Sequence, residues 1–181
     1  PYFAAETVTL AAGAGLVGCS IEDSTGNPEK PLYGFEESVA RIAASVEAAT
    51  SVGFGFTLTA RAEGFLRGVA DLEDVIARLQ AYEAAGADVL MAPGLPDLDA
   101  VKAVCAAVSK PVNFMVGVPG KSFPLADLAA AGVRRVSLAT SLYRAAMTGL
   151  IDAATEAKES GTFGYVDTSI PTPTLAGYMK G

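Results

Sequence analysis

A chain of 181 residues, 51% hydrophobic and 18% charged, fits one domain with a sizeable core and excludes a disordered segment. Its net charge of −7 argues against a nucleic-acid partner, and no apolar run approaches the ~18 residues that a membrane span needs. Histidine is absent, which removes Ser-His-Asp and Cys-His catalysis and the HExxH zinc site, and leaves acid–base work to Asp, Glu, Lys, Tyr, Cys or water.

Two cysteines, Cys19 and Cys105, lack metal-ligand spacing. With so few thiols and no signal peptide, a reducing cytoplasmic location is expected. The chain opens at Pro1 without a methionine, so further sequence is expected before it.

In chain order, a helix over Ala4–Ala12 leads into an apolar strand, Leu16–Asp23. Side chains alternate along a strand. Val17, Cys19 and Ile21 are therefore expected to face a helix layer, and Gly18, Ser20 and Glu22 the opposite side. Glu22 falls at the strand's C-terminal end. The polar stretch Asp23–Tyr33 (DSTGNPEKPLY) follows as a non-helical lid candidate, with Asp23, Ser24, Thr25, Gly26 and Asn27 as its leading residues.

A helix is predicted over Phe35–Ser51, then a strand over Phe56–Ala62. The alternation sends Phe56, Leu58 and Ala60 outward, and Thr57, Thr59, Arg61 and Glu63 inward. A guanidinium and a carboxylate at the top of one strand suit anion capture and are the catalytic candidates: Arg61 offers a planar fork, and Glu63 can orient it or a metal-bound water. The competing reading is an internal ion pair of Arg61 with Glu22 or Glu63.

The next helix, Leu72–Ala85, carries Val75, Leu79 and Tyr82 on one stripe, and Asp71 is its expected N-cap. Strand Val89–Gly94, helix Leu98–Val108, strand Val112–Gly117 and helix Phe123–Ala131 follow. Asn113 and Met115 share the inward side, where Asn113 can bond a substrate oxygen. In the last strand Ser137 points inward between Val136 and Leu138 and is a further candidate for substrate binding. Lys121, in the loop after Val112–Gly117, is the candidate for a Schiff base. A last helix runs from about Ser141 to Glu159. The Gly-, Pro- and Thr-rich tail holds Pro171 and Pro173 and cannot be one long helix.

Three segments repeat one pattern: an Ala-rich helix, Ala-Ala-Gly, then a short apolar strand. They are LAAGAGLVGCSIED (Leu10–Asp23), YEAAGADVLMAPG (Tyr82–Gly94) and LAAAGVRRVSLAT (Leu128–Thr140). The glycine suits a left-handed helix stop, and the strands suit a parallel sheet covered on both faces. Such alternation means a parallel α/β fold, with a doubly wound sheet as the rival to a barrel. Polar residues at the strands' C-terminal ends favour the barrel. The expected architecture is an α/β, (β/α)8 TIM-type barrel, this chain covering about strands 4–8. The expected division is a partial barrel over 1–165 and a C-terminal tail over 166–181. The first three strands are expected to lie outside the chain.

The segments VGCSIED (Val17–Asp23), TARAEGF (Thr59–Phe65), AYEAAGADVLMAPG (Ala81–Gly94), KPVNFMVG (Lys110–Gly117) and AAAGVRRVSLATSLYRAA (Ala129–Ala146) resemble, in order, those of the isocitrate lyase / phosphoenolpyruvate mutase superfamily. The resemblance implies a barrel enzyme with Mg²⁺ (or Mn²⁺) at its C-terminal mouth. It implies a small 2-oxo or phosphono acid as substrate, with a bond broken or rearranged beside a metal-stabilised enolate. By the same resemblance Glu22 helps hold the hydrated metal, Arg61 grips the substrate's anionic end and Asp23–Tyr33 is the gating loop. Homo-tetramers with exchanged C-terminal helices are implied too. This sequence lacks the family's Asp-x-Asp-x-Gly strand and the lyases' Lys-Lys-Cys-Gly-His lid. It ends Val89–Gly94 in Ala-Pro-Gly where lyases often keep a glutamate, which points to the mutase, phosphonopyruvate hydrolase and oxaloacetate decarboxylase side. The alternatives are a Schiff-base aldolase using Lys121 and a non-catalytic truncated barrel subunit.

Overall fold

Five short strands pair in parallel in the order in which the chain makes them: β1 (Gly18–Glu22), β4 (Thr57–Arg61), β5 (Val89–Met91), β6 (Val112–Met115) and β7 (Arg135–Ser137). The computed structural model that shows this describes residues 1–180. A doubly wound sheet reverses its strand order at a switch point. The unbroken order seen here is that of a (β/α) barrel arc. Helices α1 (Tyr2–Gly13), α2 (Phe35–Ser51), α3 (Leu72–Ala84), α4 (Leu98–Ala107) and α5 (Leu125–Ala130) alternate with the strands.

Side-chain parity works as expected on β4: Leu58 and Ala60 are buried. The α3 stripe of Val75, Leu79 and Tyr82 is wholly buried. Each such side chain contributes roughly 1.5–3 kcal/mol of apolar burial. Asp71 caps α3 by accepting the backbone N–H groups of Glu73 and Asp74 at 3.0 and 3.2 Å. Gly86 ends that turn at φ +102°, and a side chain there would also strike Val46 Cγ1 at 2.9 Å. Gly132 repeats the stop at φ +102°. In the first repeat the left-handed residue is Gly15, while Gly13 closes the helix itself. Val17 departs from the expected pattern: it precedes the first paired residue and is 71% exposed, so strand alternation does not govern it.

The polar stretch after β1 is an antiparallel hairpin, β2 (Ser24–Asn27) and β3 (Lys30–Leu32), joined through Pro28 and Glu29. One rung crosses the main sheet: Glu22 pairs with Arg61, Arg61 with Met91, Met91 with Asn113, and Asn113 with Arg135.

The chain divides into two compact units, Pro1–Ala139 and Thr140–Gly181. The second is α6 (Ser141–Thr155), a π-helical turn over Glu156–Ser160, and the short helices α7 (Tyr165–Thr168) and α8 (Thr172–Tyr178). Gly161, at φ +63°, ends the π turn. Pro171 precedes α8, which limits the tail to short helical pieces. Among the described residues no helix is long and apolar enough to cross a membrane.

Candidate functional site

Four charged side chains meet at the C-terminal ends of β1 and β4. Glu63 is completely buried, and its Oε1 accepts from Arg61 Nε at 2.9 Å and Nη2 at 2.7 Å. Arg61 Nη2 also lies 3.3 Å from Glu22 Oε2. Arg67, in the turn after β4, places Nη2 3.4 Å from Glu22 Oε1 and 3.7 Å from Glu63 Oε2. That last oxygen is buried without a hydrogen-bond partner. Each glutamate therefore faces both arginines, one oxygen apiece.

Burial and charge pull Glu63 in opposite directions. Removal from water raises its pKa above the ordinary value of 4.5, and the adjacent Arg61 only partly offsets this. A fully buried carboxylate clamped to a guanidinium holds Arg61 in place. With 0% of its surface exposed, Glu63 offers no free atom at the mouth, and its contacts are with the arginines.

Asp23 does not belong to a lid. It is 2% exposed. Its Oδ1 accepts the Glu63 backbone N–H at 2.8 Å, and its Oδ2 accepts from Tyr82 Oη at 2.9 Å and Arg78 Nη1 at 3.2 Å. Arg78 Nη1 donates further to the Tyr33 carbonyl at 3.2 Å and Ser38 Oγ at 3.1 Å, and its Nε to Asp74 Oδ2 at 2.7 Å. Burial and the Asp23 charge push the Tyr82 hydroxyl far above its usual range. Both ends of the hairpin are fixed, because the Tyr33 N–H also donates to the Asp23 carbonyl at 2.9 Å. Ser24, Thr25, Gly26 and Asn27 lie beyond this anchor, half-buried or exposed. The Thr25 hydroxyl closes the hairpin onto the Lys30 carbonyl.

Asn113 shares the sheet rung but is only 1% exposed. Its Nδ2 donates to Ser137 Oγ at 3.0 Å and Met91 Sδ at 3.3 Å, and its Oδ1 accepts from Arg135 Nε at 2.8 Å. Those bonds engage the Asn113 amide on both sides and tie it to Arg135, while Ser137, half-buried, accepts from it. Arg135 Nη2 reaches Thr59 Oγ1 at 3.2 Å, and Arg135 lines an open hollow of about 460 Å³ with Gly18, Ser20 and Thr57. Lys121 Nζ donates to the Gly94 carbonyl at 3.1 Å. Cys19 and Cys105 are free, and burial raises both thiol pKa values, as befits small packing residues.

Strand alternation finds Arg61 and Glu22 but misses three arginines. Arg67 is four residues past Glu63, and Arg78 four past Asp74 on the apolar stripe of α3; both spacings signal ion pairs. Arg135 carries no such local signal.

For a divalent cation the fit is partial. Glu22, 36% exposed at the mouth, suits a carboxylate that accepts from the waters of a hydrated ion. Among the described residues no cluster of three or more Asp, Glu or Cys side chains supplies direct ligands.

The family model for phosphoenolpyruvate phosphomutase matches residues 2–158. Oxaloacetate decarboxylase of Paraburkholderia xenovorans (strain LB400) is 32% identical over 148 residues, which are 77% of this chain and 47% of that protein. A Burkholderia cenocepacia J2315 structure, provisionally assigned as a lyase/mutase, superposes with a TM-score of 0.93 at 49% identity, over 98% of this chain and 64% of that one. Phosphonopyruvate hydrolase, solved with oxalate and Mg²⁺, superposes with a TM-score of 0.75 at 25% identity, over 93% and 60%. The chain spans about half the length of the curated relatives it matches.

Proposed function

Because this chain belongs to the phosphoenolpyruvate phosphomutase family, within the isocitrate lyase / phosphoenolpyruvate mutase superfamily, we propose that it forms part of an enzyme acting on a small 2-oxo or phosphono acid. The reaction class is cleavage or rearrangement of a C–C or C–P bond beside the 2-oxo group. The observation that carries this reading is the Arg61 fork, fixed from behind by buried Glu63 and set next to Glu22.

Arg61 binds the substrate's anionic end. Glu63 keeps the fork oriented, and Asp23 holds the backbone of Glu63. The hairpin Ser24–Leu32 stands over the mouth and excludes water when a substrate is present. Mg²⁺ (or Mn²⁺), when bound, would supply Lewis-acid stabilisation of developing enolate charge, with Glu22 accepting from its waters. A cytoplasmic homo-oligomer, a tetramer by the family's habit, belongs to the same proposal.

The test is turnover of oxaloacetate, phosphonopyruvate and related acids, with and without EDTA. EDTA should abolish activity. Arg61→Ala should lower kcat/KM on the order of 100-fold, the loss of two charge-assisted bonds. A fully active Arg61→Ala protein would remove the site assignment.

A further inference from the structure

The turn after β4 aims one side chain back at the site. The Arg67 N–H donates to the Glu63 and Gly64 carbonyls at 3.0 and 3.1 Å, and the Val69 N–H to the Gly64 carbonyl at 2.9 Å. Gly64 is packed so closely that a Cβ there would stand 2.8 Å from the Val69 carbonyl oxygen. The backbone is therefore fixed, with Arg67 four residues past Glu63, at ion-pair spacing.

That turn leaves one contact unfinished. Glu63 Oε2 is buried without a hydrogen-bond partner, and Arg67 Nη2, at 3.7 Å, stands just outside bonding distance. The same nitrogen lies 3.4 Å from Glu22 Oε1, on a carboxylate that is 36% exposed. Arg67 is thus shared between a carboxylate that water can reach and a buried one that lacks a donor. A buried acceptor left without a donor is costly, whereas an exposed one finds water. Side-chain torsions alone can move Nη2 the roughly half an ångström that a bond to Oε2 needs.

Charge points the same way. With Arg67 in place, two guanidiniums balance the two carboxylates of Glu22 and Glu63. Without it, Arg61 alone faces both, 3.3 Å from Glu22 Oε2 and 2.7 Å from Glu63 Oε1, and the cluster carries a net negative charge that repels an acid. The exposed part of Arg67 lines a cleft of about 280 Å³ walled by Ser24, Gly26, Asn27, Pro28 and Pro31 of the hairpin.

We infer that Arg67 is a positioning residue: it acts through Glu63, donating to Oε2 and completing the clamp that orients the Arg61 fork, and does not itself touch the substrate. This inference rests on the proposed function, since it assumes that Arg61 grips an acid.

Oxalate, an inert small acid, is the probe. Its affinity is measured by calorimetry on the whole protein in Mg²⁺ buffer, for the unaltered chain, Arg61→Met, Arg67→Met and Arg67→Lys, and for both Arg67 changes again in a Glu63→Gln background. Arg61→Met should weaken oxalate strongly. Arg67→Met should weaken it about tenfold, the value of one charge-assisted bond, and Arg67→Lys, which keeps the charge and loses the fork, should weaken it less. In the Glu63→Gln background Arg67→Met should cost less than about twofold, because the group through which it acts is gone. Thermal melting of each variant separates a binding loss from a folding loss. If Arg67→Met does not fold, Arg67→Lys carries the test, with a loss that vanishes in the Glu63→Gln background. An equal loss in both backgrounds, or a loss in neither, overturns the role of Arg67 while leaving that of Arg61 intact. Binding that ignores Arg61→Met, or no binding of oxalate, overturns the functional reading itself, and this inference with it.

Discussion

The backbone N–H of Glu63 donates to Asp23 Oδ1 at 2.8 Å, so the residue that follows β1 sets the position of the carboxylate that holds Arg61. The same Asp23 neutralises Arg78 and takes the Tyr82 hydroxyl, both largely out of water. Breaking a buried pair by removing one partner costs about 3–5 kcal/mol. Asp23→Ala should therefore lower the urea unfolding midpoint by a corresponding amount. Asp23→Asn, which keeps an acceptor for the Glu63 N–H, should lower it less. Equal midpoints for Asp23→Ala and the unaltered protein would show that the network is not structural.

The raised pKa of Glu63 gives a pH signature of definite sign. In the unfolded chain the group titrates near 4.5, and in the folded protein it does so higher because burial favours the neutral form. Between those two values the folded state binds more protons than the unfolded state, so stability falls as pH rises. The stabilising contribution is complete below 4.5 and is lost as pH passes the folded value. Activity should run the other way, because the grip on Arg61 uses the charged carboxylate. Glu63→Gln should flatten the stability profile in this window and remove the matching acid limb of kcat/KM. Its kcat/KM should also fall roughly 10-fold or more, the value of one charge-assisted bond. Unchanged profiles in both assays would count against the positioning role.

Asp71 offers a control remote from the chemistry. It accepts from two backbone N–H groups at the start of α3. Asp71→Ala should cost about 1 kcal/mol in urea unfolding, the usual value of an N-cap. The kcat/KM of the enzyme should not move.

Lys121 separates the family chemistry from an aldolase. Its Nζ donates to the Gly94 carbonyl at 3.1 Å. Borohydride treatment in the presence of a 2-oxo acid should leave the intact mass unchanged. A covalent adduct at Lys121 would establish a Schiff base instead.

Much of this arrangement is legible in the amino-acid sequence because it depends on periodicity. Helix Phe35–Ser51 has the expected bounds, and Val75, Leu79 and Tyr82 form the expected buried stripe. Period-two alternation puts Glu22 and Arg61 on one face, and the strand register then makes them neighbours. Alternation assigns a face, however, and says nothing of which polar neighbours consume one another. Asn113 lies on the inward rung, and its bonds are taken by Arg135, Ser137 and Met91 from adjacent strands. Asp23 looks like the first residue of a polar loop, but partners 55 and 59 residues away bury it. The turn between β2 and β3 carries its own local signal: Gly26 takes φ +77°, and Asn27 Oδ1 accepts the Glu29 N–H at 3.0 Å, both ordinary turn chemistry.

The closed root of that hairpin sets where this scaffold can vary. Asp23 and Tyr33 are joined by a backbone bond, and Arg78 grips both, so strain from a longer or altered tip stops at the root. Residues from Ser24 to Leu32 should therefore tolerate replacement as a cassette, with the barrel arc beneath undisturbed. Changes confined to that tip would leave the folding determinants at Asp23, Tyr33 and Arg78 untouched.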